Sequence, residues 1–392
     1  MNEDVLTPAD EREAAEIVAA AEAPFDIVGA GTRAGFGRPA QCGRRLSTAK
    51  LTGIVFHEPA EMTLRARAGT PLAAVEAALE QHGQMLPFEP MDPRVLFETQ
   101  GEPTVGGLIA TALAGPRRLS AGAVRDNVLG LKFVNGRGEI ISTGGRVTKN
   151  VTGLDLVKIH CGAQGTLGLV TEATLKLLPA PRAEATIVVR RLDDARAVEA
   201  MARALRSPYG VSGAATIHAG MGREFPRTLL RVEGFEDSVA YRTERLIALL
   251  SEFGAKHALT DDKSRRMWRA IRDVEFLAEP GERAIWRASL KPSDAPAALA
   301  ALGSHARTSL LDHGGGLVWF STDPTLEIAT AVRGALRSFS GHVELIRADE
   351  TLRRSADVFS PLAPALARLT RGVKASLDPK DLFNPGRMYA DL

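Results

Sequence analysis

The chain has 392 residues, 45% of them hydrophobic and 24% charged, with a formal net charge of +2 and two cysteines. That length exceeds one ordinary core and sets two or three domains, and the near-neutral charge gives no electrostatic ground for binding nucleic acid or anionic lipid. The cysteines, Cys42 and Cys161, stand far apart, which excludes an iron–sulfur cluster or a structural zinc held by this chain's own thiolates.

The opening stretch MNEDVLTPADEREAAEIVAA is acidic and lacks the layout of a signal peptide. No apolar run approaches the ~20 residues that span a bilayer, so a cytoplasmic protein is expected, with any membrane association coming through partners. Thr7-Pro8 reads as the cap and first-turn proline of a helix over 8–22, with Ala14, Ile17, Val18 and Ala21 at helical spacing. Phe25–Val28 reads as a short buried strand. LTGIVFHEP (51–59) and EMTLRARAG (61–69) read as two more. Thr70-Pro71 opens a second helix, with Leu72, Val75 and Leu79 on one face and Gly83 at its end. TVGGLIATALAGP (104–116) reads as a short helix packed closely through its small residues. VLGLKFVNGRGEIIS (128–142) reads as a hairpin turning at Asn135-Gly136. LGLVTEATLKLLP (167–179) is a further strand, closed by Pro179-Ala180-Pro181, and this pair of prolines marks a domain boundary near 182. Beyond it come the strand ATIVVRR, the helix DDARAVEAMARALRS, the strands VSGAATIHA and RTLLRVEG, and the helix EDSVAYRTERLIALLSEFG. This β-α-β-β-α order reads as a ferredoxin-like unit, and further strand and helix signals continue to about residue 346. No sequence repeat stands out.

The stretch VGAGTRAGFG (28–37) follows a strand, as a phosphate-binding loop would. A Rossmann site needs G-x-G-x-x-G and then a helix aimed at the pyrophosphate. Here the spacing is Gly29-x-Gly31-x-x-x-Gly35, and Pro39 and Gly43 in the following FGRPAQCGRRL forbid that helix. The loop can bind phosphate another way, through consecutive backbone N–H groups with the Thr32 hydroxyl beside them. Two more small-residue stretches accompany it. One carries Gly106-Gly107, Gly115, Ser120-Ala121-Gly122 and Arg125-Asp126; the other carries Gly162, Gly165 and Gly168. Three such surfaces suit a long ligand lying against backbone, a dinucleotide rather than a small metabolite.

These segments, with MTLRARAGTPLAAVEAALEQHGQMLPFEP, GPRRLSAGAVRDNVLG, KNVTGLDLVKIHCGAQGTLGLV and the C-terminal DPKDLFNPGRMY, resemble the vanillyl-alcohol-oxidase, or PCMH-type, FAD-binding superfamily. Within it the chain is most similar to the FAD-binding E subunits of bacterial glycolate oxidases. The resemblance covers most of 25–182 and 377–389, and is loose over 183–346. It implies an α+β protein: a PCMH-type FAD-binding domain over 1–182, in two subdomains (about 1–58 and 59–182). An α/β cap over 183–346 with a largely antiparallel, ferredoxin-like sheet would follow, and 347–392 would return to the FAD domain. It implies that Gly29, Ala30, Gly31, Thr32, Arg33 and Gly35 hold the FAD pyrophosphate. Pro103, Thr104, Gly106, Gly107 and Leu108 would pack along the cofactor. So would Ala121, Arg125, Asp126 and Val128, and then Gly165, Thr166, Gly168 and Val170, with Asn384 near the flavin ring. The activity implied is oxidation of glycolate, a small 2-hydroxy acid, to glyoxylate. The partners implied are a second flavoprotein subunit and an iron–sulfur subunit.

Two departures shape the chemistry. The phosphate loop contains no histidine or cysteine, so non-covalent FAD is expected, and Cys42 lies several residues past it. Catalytic relatives of the hydroxy-acid branch carry an HGDGN-like motif; DHGGGLVWF (312–320) offers only His313 and reads as a tight turn into a buried strand. Oxidising a 2-hydroxy acid needs a cation for the carboxylate and a base for the hydroxyl proton. Arg287 and Arg347 are the clamp candidates, and His218 and His342 sit in or near cap strands. None of these is assigned, and no metal site is expected. The chain therefore reads as a flavin-holding subunit that depends on partners. A self-sufficient FAD-dependent 2-hydroxy acid or alcohol dehydrogenase, and a scaffold that has lost its cofactor, are the alternatives.

Overall fold

A computed structural model describes residues 4–146, 154–219, 224–278 and 283–391. The first residues of KNVTGLDLVKIHCGAQGTLGLV, 149–153, lie outside them. The chain forms two units: residues 1–113, 122–179 and 361–392 make the first, and residues 114–121 and 180–360 the second.

The first unit holds two main sheets. Strands β1 (Asp4–Leu6), β2 (Phe25–Val28) and β3 (Arg44–Ser47) form a parallel sheet in the order β1-β3-β2. Strands β4 (Ile54–Glu58), β5 (Thr63–Arg67), β7 (Val128–Val134), β8 (Ile140–Gly144) and β9 (Leu169–Lys176) form an antiparallel sheet ordered β4-β5-β9-β7-β8, and the short β6 (Gln84–Met85) pairs with β10 (Leu178–Pro179). β4 pairs with β5, so residues 54–58 join the antiparallel sheet rather than the parallel one. The first helix runs Glu11–Ala19 rather than 8–22. Its cap is Asp10, whose Oδ1 accepts from the N–H groups of Arg12 and Glu13 at 2.9 Å, a stronger cap than Thr7 in front of a proline. Its apolar face, Ala14, Ala15 and Val18, packs with Phe25, Leu46, Val134 and Leu169. The hairpin between β7 and β8 is also longer than a two-residue Asn-Gly turn. Asn135 Oδ1 accepts from the N–H groups of Arg137 and Glu139, both at 3.0 Å, so the side chain closes a wider loop.

The C-terminal segment completes the parallel sheet. Phe25 N–H donates to the Leu382 carbonyl (2.7 Å) and Asn384 N–H to the Phe25 carbonyl (3.0 Å), so residues 382–384 run beside β2.

The second unit is built on one antiparallel sheet of eight strands: β11 (Ala183–Arg190), β12 (Val211–Ile217), β13 (Arg227–Gly234), β14 (His257–Thr260), β15 (Ala284–Ser289), β16 (Ser309–Asp312), β17 (Leu317–Thr322) and β18 (His342–Arg347). Their order is β14-β11-β13-β12-β16-β17-β15-β18. Each half is a β-α-β-β-α-β unit with the ferredoxin-like order 4-1-3-2. The helices are Asp194–Leu205 and Glu236–Leu249 in one half, Ala295–Leu302 and Leu326–Leu336 in the other. The topology thus repeats where the sequence does not. Among the described residues the halves join through β12 and β16, over Thr216↔Leu311 and Ile217↔Leu310.

Two expected limits of this unit move. The chain leaves it at 361 and not 347, because the segment after β18 stays bound there: Leu345 N–H donates to the Val358 carbonyl (2.8 Å), and Arg333 Nη2 donates to the carbonyls of Asp357 and Val358 (2.6 and 3.1 Å). Residues 114–121 belong to it as well, held by the Arg117–Glu233 pair at 2.6 and 3.2 Å.

Candidate functional site

β2 ends at Val28 and the chain turns at once. The N–H groups of Ala34 and Phe36 donate to the Gly31 and Arg33 carbonyls (3.2 and 3.0 Å), and neither bond uses the N–H groups of residues 30–33. Gly31 adopts φ +74°, a conformation most side chains resist. A β-carbon on Gly29 would lie 2.7 Å from Thr104 Oγ1, so only glycine fits that close approach. Thr104 in turn caps the helix Val105–Thr111, its Oγ1 accepting from Gly107 N–H at 3.3 Å. Turn and helix cap therefore converge on one recess. Residues 26–34 line it with Thr104, Gly107, Ala110, Thr111, Gln164, Asn384 and Arg387.

Asn384 ties the wall of this recess together. Its Oδ1 accepts from Ile27 N–H and its Nδ2 donates to the Gln164 carbonyl, both at 2.7 Å. It sits at φ +44°, which asparagine tolerates better than most residues. Gly165, at φ +70°, lets the two segments meet: a β-carbon there would approach Asn384 Nδ2 to 2.8 Å.

Two cations flank the recess, Arg33 buried and Arg387 half-buried. Arg33 is 7% exposed; its Nη2 donates to the Met91 carbonyl (3.2 Å) and its Nη1 reaches Thr32 Oγ1 (3.5 Å). Burial pushes its pKa down to about 10, against the pull of Asp92, so it stays charged at neutral pH. Arg387 donates from Nη2 to the Ala34 carbonyl at 3.2 Å, and burial lowers its pKa as well, opposed by Asp26. In both side chains the buried Nε–H has no partner. A guanidinium held by neutral oxygens, with a spare donor and next to the amides of a glycine turn, suits a bound anion. The residues present fit a phosphate group.

The recess gathers Gly29, Ala30, Gly31, Thr32, Arg33, Thr104, Gly107 and Asn384 from among the expected cofactor contacts. The others do not line it, although Gly165 abuts Asn384 at its wall. Gly35 meets the Phe97 ring, Gly106 packs on Ala68, and Leu108 is in the core. The Pro103 carbonyl accepts from Leu72 N–H (2.8 Å). Thr166 Oγ1 bonds the Ala163 carbonyl (2.7 Å), Gly168 abuts Phe133, and Val128 and Val170 belong to β7 and β9. Arg125 and Asp126 are largely exposed on a short helix, and Ala121 is in the second unit. Sequence reasoning missed Gln164, Thr111 and Arg387. Arg387 directly follows FNPG and Gln164 precedes Gly165, so proximity to those two motifs was the available signal.

No histidine or cysteine lines the recess. Both cysteines are free, and burial raises their pKa values, Cys42 to about 11 and Cys161 to about 12. The candidates for substrate chemistry are engaged elsewhere. Arg287 Nε donates to Glu344 Oε2 at 2.7 Å. His218 bonds Asp194 Oδ1 at 2.6 Å and the Ser309 carbonyl at 2.9 Å. His342 is exposed at the start of β18, and Arg347 is buried at its end. His313 stands in a tight turn ahead of the fully buried β17, as DHGGGLVWF suggested.

The FAD binding domain family matches residues 3–144. Glycolate oxidase subunit GlcE of Escherichia coli (strain K12) is 36% identical over 372 residues, 94% of this chain and 93% of that protein. Glycolate oxidase subunit GlcD of Bacillus subtilis (strain 168) is 24% identical over 90% of this chain and 80% of that protein. Among solved structures, p-cresol methylhydroxylase with substrate bound superposes with a TM-score of 0.72 at 13% identity, covering 99% of this chain and 88% of that one, a likeness of fold.

Proposed function

This chain belongs to the family of FAD-binding flavoproteins that includes glycolate oxidase subunit GlcE, and from that premise we propose that it is the FAD-holding E-type subunit of a glycolate oxidase. The complex would oxidise glycolate, a 2-hydroxy acid, to glyoxylate. The observation that carries the reading is identity spread over 94% of the chain, the second unit included, together with a phosphate-fitting recess in the first.

When bound, FAD supplies the acceptor for the hydride that leaves the CH–OH carbon. The protein's part is to hold it. The turn of residues 29–33 and the Arg33 guanidinium would hold and neutralise the pyrophosphate, Thr104 and Gly107 would shape the wall, and Asn384 with Gln164 would fix the opposite side. We infer that the cofactor is held without a covalent bond: the lining carries no histidine or cysteine, and Cys42, the nearest sequence candidate, is a protonated thiol at neutral pH.

A second flavoprotein subunit and an iron–sulfur subunit are the partners we assign. The engagement of Arg287 by Glu344 and of His218 by Asp194 and Ser309 supports a division of labour in which substrate is oxidised elsewhere in the assembly. None of the described helices is long and apolar enough to cross a membrane. We place the assembly in the cytoplasm, reaching a membrane only through partners.

Glycolate-dependent dye reduction tests this reading. The isolated chain is expected to turn over negligibly, and co-expression with the two partner subunits to restore the rate. An enzyme-like rate from the isolated chain would overturn the subunit reading in favour of a self-sufficient dehydrogenase.

A further inference from the structure

The helix Pro364–Leu377 is mostly exposed, yet it buries one lysine near its end, Lys374, only 7% exposed. Four oxygens surround its Nζ: Asp378 Oδ2 at 2.7 Å, the Thr166 carbonyl at 2.9 Å, Asp381 Oδ1 at 2.9 Å and the Phe383 carbonyl at 3.0 Å. Asp378, 2% exposed, accepts in turn from Leu382 N–H (3.0 Å) and Phe383 N–H (2.9 Å). Burying an ammonium ion costs several kcal/mol unless its donors are satisfied and its charge is matched. Both conditions are met here. An apolar pair of similar volume would serve stability about as well, however, so packing alone does not call for these charges.

What the pair does is geometric. Lys374 joins the Thr166 carbonyl to the Phe383 carbonyl, and each oxygen sits one or two residues from a wall residue of the recess, Gln164 and Asn384. Those two are themselves joined by the bond from Asn384 Nδ2 to the Gln164 carbonyl. Asp378 fixes the same strand from its amide side. The two loops are therefore pinned twice, once at the recess and once behind it. We propose that Lys374 and Asp378 are a buried positioning pair for the cofactor site, holding the Gln164 loop and the Asn384 strand at the separation FAD requires. This deepens the FAD reading above and rests on it.

The test is FAD titration of apo-protein, followed by flavin fluorescence, with the visible spectrum recorded at saturation. Wild type is compared with Lys374→Met and Asp378→Asn, and melting temperature is measured in parallel. Each substitution is expected to weaken FAD binding about tenfold or more and to alter the fine structure of the flavin band. FAD affinity and spectrum equal to wild type, with only a lower melting temperature, would overturn the proposal and leave the pair purely structural. If the methionine variant fails to fold, the isosteric Asp378→Asn decides by the same two readouts. Wild-type protein that binds no FAD would instead defeat the FAD reading itself.

Discussion

Asn384 does at the recess what no neighbouring residue can. It donates to one loop and accepts from a strand, in a backbone conformation that favours asparagine. Asn384→Ala leaves the Ile27 N–H and the Gln164 carbonyl without those partners, each costing about 1–3 kcal/mol where buried. An apparent FAD affinity lower by about tenfold to a hundredfold is expected from fluorescence titration, and an unchanged affinity would show that the side chain has no part in the site. The thiols give the opposite kind of expectation. With its pKa raised to about 11, Cys42 is protonated at neutral pH and is deprotonated only as pH climbs toward that value. Iodoacetamide should label it slowly at neutral pH and much faster above about pH 10, and Cys42→Ser should leave flavin content unchanged. The glycine turn and the FNPG motif that carries Asn384 stood out in the sequence as local signals, but Asn384 was expected near the flavin ring, and its bonds to Ile27 and Gln164 in the recess were not foreseen. Arg387 and Gln164 were signalled only by standing beside FNPG and Gly165. Their importance comes from burial and from contacts across the chain, which spacing does not encode.

At the scale of elements, the seam between the two halves of the eight-stranded sheet is the weakest join, two residue pairs wide. His218 extends it, bridging Asp194 and the Ser309 carbonyl. Burial disfavours its charged form, but the hydrogen bond and charge of Asp194, with the Ser309 carbonyl, outweigh that and raise its pKa above 6.5. A raised folded-state pKa means that the stability gained is complete below about pH 6.5 and is lost as pH rises through the folded value. The melting temperature should therefore fall as pH rises above about 6.5, and His218→Gln should flatten that slope. A slope of equal size in the variant would assign the pH dependence to other groups. The first β-α-β-β-α pattern was legible in the sequence from its periodicity. The second, β15 to β18, came through only as scattered signals, since its four-residue strand β16 and its turn at His313 carry little pattern.

For the whole molecule, the limits of the units were the least legible feature. Residues 114–121 lie in the middle of a stretch that resembles FAD-binding sequence, yet the Arg117–Glu233 pair assigns them to the second unit. A salt bridge between positions 116 residues apart leaves no local trace. The fold class was clear, because strand and helix signals in the first 182 residues and the ferredoxin-like pattern after them agree with elements that formed. The central claim is that this one chain holds FAD, without a covalent bond, in the recess behind β2. The most direct test is to purify the chain alone, record its visible spectrum, precipitate it with acid and assay the supernatant for flavin. Yellow protein releasing about one FAD per chain is the expected result. Colourless protein that FAD cannot reconstitute would contradict the claim, and colour retained in the pellet would contradict its non-covalent part.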